Sequence, residues 1–262
     1  RHLSLTAFGF MSESGQVAVI IPAAGRGTRL GGHRKQFRVL GGKSVLVQTL
    51  LVFERHSEVD HIVVATPEEA VGPLREELVR VGISKLHDVV GGGDTRQESV
   101  HRALMALPEA VDVVLVHDAV RPFVRMSRVS AVVRSVRQSG AGSLAISISD
   151  TVRKMAAGQS GEVLFAETVP REELVRMQTP QGFRRDWLIE AHNKASRGEI
   201  QATDDVALVQ HTGHDVVCVP GCQYNIKITT PQDWEQALRF WSYWASVLQH
   251  EEREQIVGKE TR

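Results

Sequence analysis

Two hydrophobic periods alternate along this chain. Short apolar runs rich in β-branched residues occupy 17–21, 62–65 and 113–116, and strand-like runs broken by polar residues occupy 86–90 and 144–148. Runs of that length, bounded by turn residues, predict buried strands. Between them, Val45, Gln48, Thr49 and Val52 span successive turns of a helix over 44–55. Val71, Leu74, Leu78 and Val81 fall at helical spacing before Gly82, and Val100, Ala103, Leu104 and Leu107 line one face after Thr95 and Glu98, which have capping-box spacing. Val129, Val132, Val133 and Val136 mark a further helix that stops near Gly140. Such alternation predicts a mostly parallel sheet with helices on both faces, where ligands sit at the carboxyl ends of the strands.

The alternation breaks at Asp150. Residues 151–155 and 163–169 are strand-like around a flexible turn at 156–161, a hairpin with little apolar surface of its own. An isolated hairpin is marginal in water, so it should pack on something, and a second subunit is one candidate. From Asp186 the α/β pattern resumes with a helix, a short helix opened by Thr203-Asp204-Asp205, and strands at 216–219 and 226–229. Thr230-Pro231-Gln232-Asp233 then starts a last helix with a cap, a proline at its first position and an acid two residues later. Residues 1–16 read as a detached, disordered extension, 17–249 as one domain with an arm at about 150–182, and 250–262 as a charged tail.

The first strand carries the chemistry. It ends at Pro22, which cannot donate a ladder hydrogen bond, and Ala23, Ala24, Gly25 and Gly27 follow. Arg26, Arg29, Arg34 and Lys35 add a dense group of cations. Small residues let a backbone approach a ligand, so this loop has the outline of a polyphosphate cradle. A dinucleotide fingerprint is excluded because Leu30 stands at its third glycine, and Phe37 stands where a Walker A loop needs its first.

Lys plus Arg, 31, equals Asp plus Glu, 31, so no global field draws the chain to nucleic acid or an anionic membrane. No apolar run approaches the roughly 18 residues of a membrane span. Two cysteines make no disulfide framework, which suits a reducing cytoplasm. His211, His214, Cys218 and Cys222 fit no usual zinc spacing. No nucleophile–base pair stands out. Asp118 ends a buried strand without a clean helix start behind it, and one carboxylate with substrate phosphate oxygens is a common magnesium site. Lys227 shares the polar side of its expected strand with Asn225 and Thr229.

Several blocks together resemble one family. They are 22–30 (PAAGRGTRL), 35–37 (KQF), 92–100 (GGDTRQESV), 116–122 (VHDAVRP), 178–181 (QTPQ) and 225–229 (NIKIT). In this order they are similar to 2-C-methyl-D-erythritol 4-phosphate cytidylyltransferases, from about Val17 to the last helix. The resemblance implies a Rossmann-like nucleotidyltransferase α/β fold with a protruding hairpin arm exchanged across a homodimer. It implies transfer of CMP from CTP to methylerythritol phosphate, with Mg²⁺ and no organic cofactor, in non-mevalonate isoprenoid synthesis. Ala23, Ala24, Gly25, Gly27, Gly93, Asp94, Arg96 and Ser99 would surround the nucleotide, with Ala119 beside the ribose and Lys35, Asp118 and Lys227 also in contact. Arg29 and Lys35 would stabilise the transition state, and Asp118 would hold the metal. Arg171 and Lys227 would position the sugar phosphate, helped by Asp118, Arg121, Thr151 and Thr179. Arg171 and Thr151 lie on the arm and could serve the partner's site. Tyr224 stands where many members carry an acid. The alternatives are transfer to another polyol phosphate, such as ribitol 5-phosphate, and a non-catalytic nucleotide-binding module.

Overall fold

Strand β1 (Gln16–Pro22) is fully buried from Val17 to Ile21 because helices cover both of its faces. Val17, Val19 and Ile21 enter one hydrophobic core, and Ala18 and Ile20 enter a second on the opposite side. A computed structural model describes residues 15–25, 35–158 and 160–260. After β1 come a small antiparallel pair, β2 (Val39–Leu40) and β3 (Lys43–Ser44), then α1 (Val45–Arg55), β4 (His61–Thr66), α2 (Val71–Arg80), β5 (Leu86–Gly91) and α3 (Arg96–Met105). The chain continues through β6 (Val111–Val116), α4 (Met126–Ser139), β7 (Ala141–Ser147), β8 (Val152–Ala157), β9 (Val163–Val169) and β10 (Val175–Arg184). Helices α5 (Arg185–Ser196) and α6 (Asp205–His211), strand β11 (Val217–Pro220) and helix α7 (Pro231–Glu260) follow.

The central sheet has the order β11-β7-β10-β6-β1-β4-β5. Its pairs are parallel except at β10, which runs antiparallel to both β6 and β7. One core packs Leu46, Leu50 and Phe53 of α1, four valines of α4 and Trp244 of α7 against the sheet. The other packs Val100 and Leu104 of α3 with Leu188 and Ala191 of α5. Gly41, at φ +58°, lets β2 turn beneath α7, since a Cβ there would lie 1.9 Å from the Trp241 ring.

The mostly parallel, doubly covered sheet and the β8–β9 hairpin agree with the sequence expectation. Four expectations are corrected. The arm does not run to residue 182, because 175–184 is the strand β10, filling the sheet between β6 and β7. Residues 226–229 are not a strand: their tie to the sheet side is the Ile228 N–H bond to the Val120 carbonyl, 3.0 Å, with no ladder. Gln16, assigned to the N-terminal extension, opens β1, while 1–14 lie outside the described residues. The charged tail continues α7 through Glu260, and buried Glu251 accepts the Met126 N–H at 3.1 Å, closing the N-terminus of α4.

Candidate active site

The carboxyl ends of β1 and β6, the β5–α3 loop and the segment before α7 meet around a cleft of about 710 Å³. Ala23, Ala24, Gly25, Lys35, Gln36, Gly93, Asp94, Arg96, Ser99, Asp118, Ala119 and Lys227 line it. Most of the nucleotide residues expected from sequence therefore converge. Gly27 and Arg29 lie outside the described residues. Gly25 and Lys35, which bound that segment, both line the cleft, and Gln36 donates to the carbonyls of Ala23 (2.7 Å) and Gly25 (3.2 Å).

The β5–α3 loop is shaped by the start of α3. Thr95 caps the helix, accepting the Glu98 N–H at 3.1 Å, and the Glu98 carboxylate reaches back to accept the Thr95 N–H at 3.4 Å and the Asp94 N–H at 2.7 Å. This is the capping box that the sequence spacing predicts. Ser99 Oγ donates to the Thr95 carbonyl (2.9 Å) and accepts the Gly93 N–H (3.2 Å). Gly92 has no room for a side chain: a Cβ would lie 2.3 Å from the Ala24 Cβ and 2.9 Å from Ser99 Oγ. The two loops can approach only with glycine at 92.

Asp118 lies at the floor, nine-tenths buried, among three cations. Its carboxylate is 3.0 Å from Lys227 Nζ, 3.1 Å from Arg121 Nε and 3.6 Å from Arg96 Nε. Burial alone would raise its pKa. Lys227, Arg96 and Arg121 overcome that and hold it well below the usual carboxylate range. The Asp118 N–H donates to Thr179 Oγ1 at 3.1 Å. His117 Nε2–H donates to the Arg121 carbonyl at 3.0 Å, which leaves Nδ1 of the neutral ring as an acceptor for the Thr179 hydroxyl, 3.0 Å away. Full burial lowers the His117 pKa to about 4, so the ring is neutral in this chain of bonds.

Strand β10 also presents Lys227. Gln178 donates to the Cys222 carbonyl (2.8 Å) and accepts the Cys222 N–H (3.1 Å). Asn225 donates to the Thr179 carbonyl (2.8 Å), and its own carbonyl accepts from Arg121 (2.7 Å). Asn225 is thus buried and Thr229 turns to Asp233 at the start of α7, so the shared polar face expected for 225, 227 and 229 is not formed. Lys227 alone reaches the cleft, its side chain 41% exposed. Tyr224 stacks on Phe240 of α7, with ring centroids 4.8 Å apart, and anchors the same segment.

Arg121 and Thr179 reach the site as supports of Asp118 rather than as lining residues. Thr151 and Arg171 are not brought to the cleft within one chain. Both are exposed at the base of the arm, where Arg171 donates to the Ser149 carbonyl and lies 3.8 Å from Glu172. The residues that sequence reading missed are Gln36, Gln178 and Asp205. Gln36 and Gln178 stood inside quoted blocks, but Asp205 read only as the opening of a helix. No His/Cys/Asp/Glu cluster able to hold zinc occurs among the described residues.

The model of the 2-C-methyl-D-erythritol 4-phosphate cytidylyltransferase family matches residues 17–240. A protein of that name from Salinibacter ruber is 56% identical over 228 residues, 87% of this chain and 94% of its own. The crystal structure of the enzyme of that name from Thermus thermophilus superposes with a TM-score of 0.72 at 36% identity, covering 87% of this chain and 99% of that one. The crystal structure of a 4-diphosphocytidyl-2C-methyl-D-erythritol synthase from Anaerococcus prevotii gives 0.73 at 29% identity, covering 86% and 96%.

Proposed function

The chain belongs to the 2-C-methyl-D-erythritol 4-phosphate cytidylyltransferase family, and from that premise we propose how its residues divide the work. The enzyme transfers CMP from CTP to 2-C-methyl-D-erythritol 4-phosphate, releasing pyrophosphate, in isoprenoid biosynthesis. The relatives do not favour the ribitol phosphate alternative or a non-catalytic module.

The nucleophile is a phosphate oxygen of the acceptor, ionised near neutral pH, so no general base is required. The obstacle is bringing one anion onto the α-phosphorus of another. Positioning and charge neutralisation supply most of the rate. In our reading the backbone of 23–25 and 93–94 holds the nucleotide, with Arg96, Ser99 and Ala119 around it. Lys35 and Arg29 neutralise the charge that develops on the triphosphate, and Lys227 draws the acceptor phosphate towards it. The convergence of Lys35, Arg96 and Lys227 on one cleft beside an ionised Asp118 is the observation that carries this assignment.

Asp118 suits Mg²⁺, which is held by one or two carboxylates together with substrate phosphates. It is ionised, with Lys227 and Arg121 on its Oδ2 and Arg96 Nε standing 3.6 Å from its Oδ1. When bound, the metal would neutralise and orient phosphate oxygens. We further propose a homodimer built through the arm, in which Thr151 and Arg171 complete the partner's acceptor site. The exposed Met155, Val163 and Phe165 of the hairpin support that reading. The free cysteines support a cytoplasmic setting, and no helix among the described residues is long and apolar enough to cross a membrane.

The test is pyrophosphate release with each of the four nucleoside triphosphates, with and without methylerythritol phosphate and magnesium. Release with CTP only, dependent on both additions, is expected. Release without the acceptor, or equal rates with all four nucleotides, overturns the reading.

A further inference from the structure

Behind the cleft lies a buried acid that the reaction as described does not use. Asp205 is fully buried at the first position of α6. Its Oδ2 accepts from Arg96 Nη1 at 2.6 Å, and its Oδ1 lies 3.0 Å from His192 Nε2. A carboxylate can only accept, so Nε2 carries the His192 proton. The ring of His101 stacks on His192 with centroids 5.7 Å apart. Asp205 is itself placed by its neighbour. Asp204 caps α6 by accepting the Ala207 N–H at 3.0 Å, and it accepts from Gln181 of β10 at 2.9 Å.

A buried carboxylate is costly to desolvate unless a partner offsets it, and it does not add stability by default. Its position instead answers a problem of the cleft. Arg96 has two acids in reach, and Asp118 opens on the cleft while Asp205 does not. A guanidinium free to swing would pair with Asp118 and be lost to an incoming phosphate. Here the short contact is to Asp205 and the Asp118 contact is the long one, 3.6 Å. The Arg96 side chain, 30% exposed, keeps part of its surface on the cleft.

We propose that Asp205 is a positioning residue for CTP, holding Arg96 from behind so that the guanidinium meets the nucleotide without being captured by Asp118. The inference rests on the reading of Arg96 as a nucleotide contact. Asp205→Asn keeps the shape and removes the charge. It raises the KM for CTP about 10-fold or more, the scale of a lost charged hydrogen bond. It leaves the KM for methylerythritol phosphate unchanged, and kcat at saturating CTP stays within about threefold. A purely structural role would lower active protein without moving one KM selectively.

A double-mutant cycle separates the possible failures. Arg96→Ala raises the CTP KM, and adding Asp205→Asn to it raises the KM no further. If Arg96→Ala raises it and Asp205→Asn does not, or if the two effects multiply, the positioning role is overturned while the reading of Arg96 stands. If Arg96→Ala leaves the CTP KM at the wild-type value, the reading of Arg96 fails and the inference with it. Should Asp205→Asn not fold, the wild-type protein decides. The side-chain N–H signals of Arg96, assigned by their loss in Arg96→Ala, are sharp and protected from exchange before CTP is added. Signals averaged like those of exposed arginines overturn the anchoring.

Discussion

At the scale of single residues, charge placed at the cleft outweighs charge counted over the chain. The net formal charge is zero, yet three cations surround one carboxylate and Lys35 faces the same space. Lys35→Ala and Lys227→Ala each lower kcat by about 10²-fold or more, the scale of losing one transition-state donor. Pyrophosphate release measures it, and wild-type turnover in both variants would remove the charge-neutralisation account. Lys227 was legible as a residue of interest, but its supports were not. Gln178, Thr179 and Asn225 are polar side chains buried for hydrogen bonds at long sequence separation, and spacing carries no trace of such bonds. His56 makes a separate prediction. It is fully buried and bonds to the Met126 carbonyl (3.1 Å) and the Glu58 N–H (3.2 Å), which suits the neutral ring. Burial lowers its pKa, against opposing pulls from Glu58 and from the Met126 carbonyl. Below about pH 6.5 the unfolded chain therefore binds the proton first, and stability falls as pH drops towards the folded value. The urea midpoint should be lower at pH 5 than at pH 7.5, and His56→Gln should flatten part of that slope. An unchanged slope in the variant would show that His56 is not among its causes.

At the scale of elements, local signals read best where they act alone. The Thr95–Glu98 box, the Gly140 stop of α4 at φ +85° and the Thr230–Asp233 start of α7 all stand where the residue types place them. Strand β10 shows the opposite case. Pro180 supplies no N–H, and the ladder to β7 is interrupted between Met177 and Gln181. Buried Gln178, Thr179 and Gln181 then erase the apolar run by which the other strands are seen. The segment 226–229 misled in the other direction, since alternating Ile226 and Ile228 suggest a strand but anchor a loop. Gly92 tests the closeness of the cleft loops. Gly92→Val drives a branched side chain into Ala24 and Ser99, so the loops must part. CTP binding measured by calorimetry should weaken about tenfold or more while the fold survives, on the scale of one lost charged hydrogen bond in this site. Wild-type affinity would show that the loops need not touch.

At the scale of the whole molecule, the feature that stands apart is the hairpin β8–β9, which pairs with itself and belongs to no larger sheet. Phe165, 84% exposed, is costly to leave in water. Under the proposed arm-built dimer, Phe165→Glu should shift sedimentation from dimer to monomer and weaken methylerythritol phosphate more than CTP, because in that proposal Thr151 and Arg171 complete the partner's acceptor site. A monomeric wild-type enzyme with full activity would end that account. The antiparallel strand β10 has a consequence during synthesis. Residues 175–184 are the partner that fills the gap beside β6. While a nascent chain on the ribosome is shorter than that, β6 is a bare apolar border with unpaired amides, open to a neighbouring copy. The step that seals this border also delivers Thr179 to Asp118, so the young polypeptide loses its adhesive edge and gains its catalytic floor in one event.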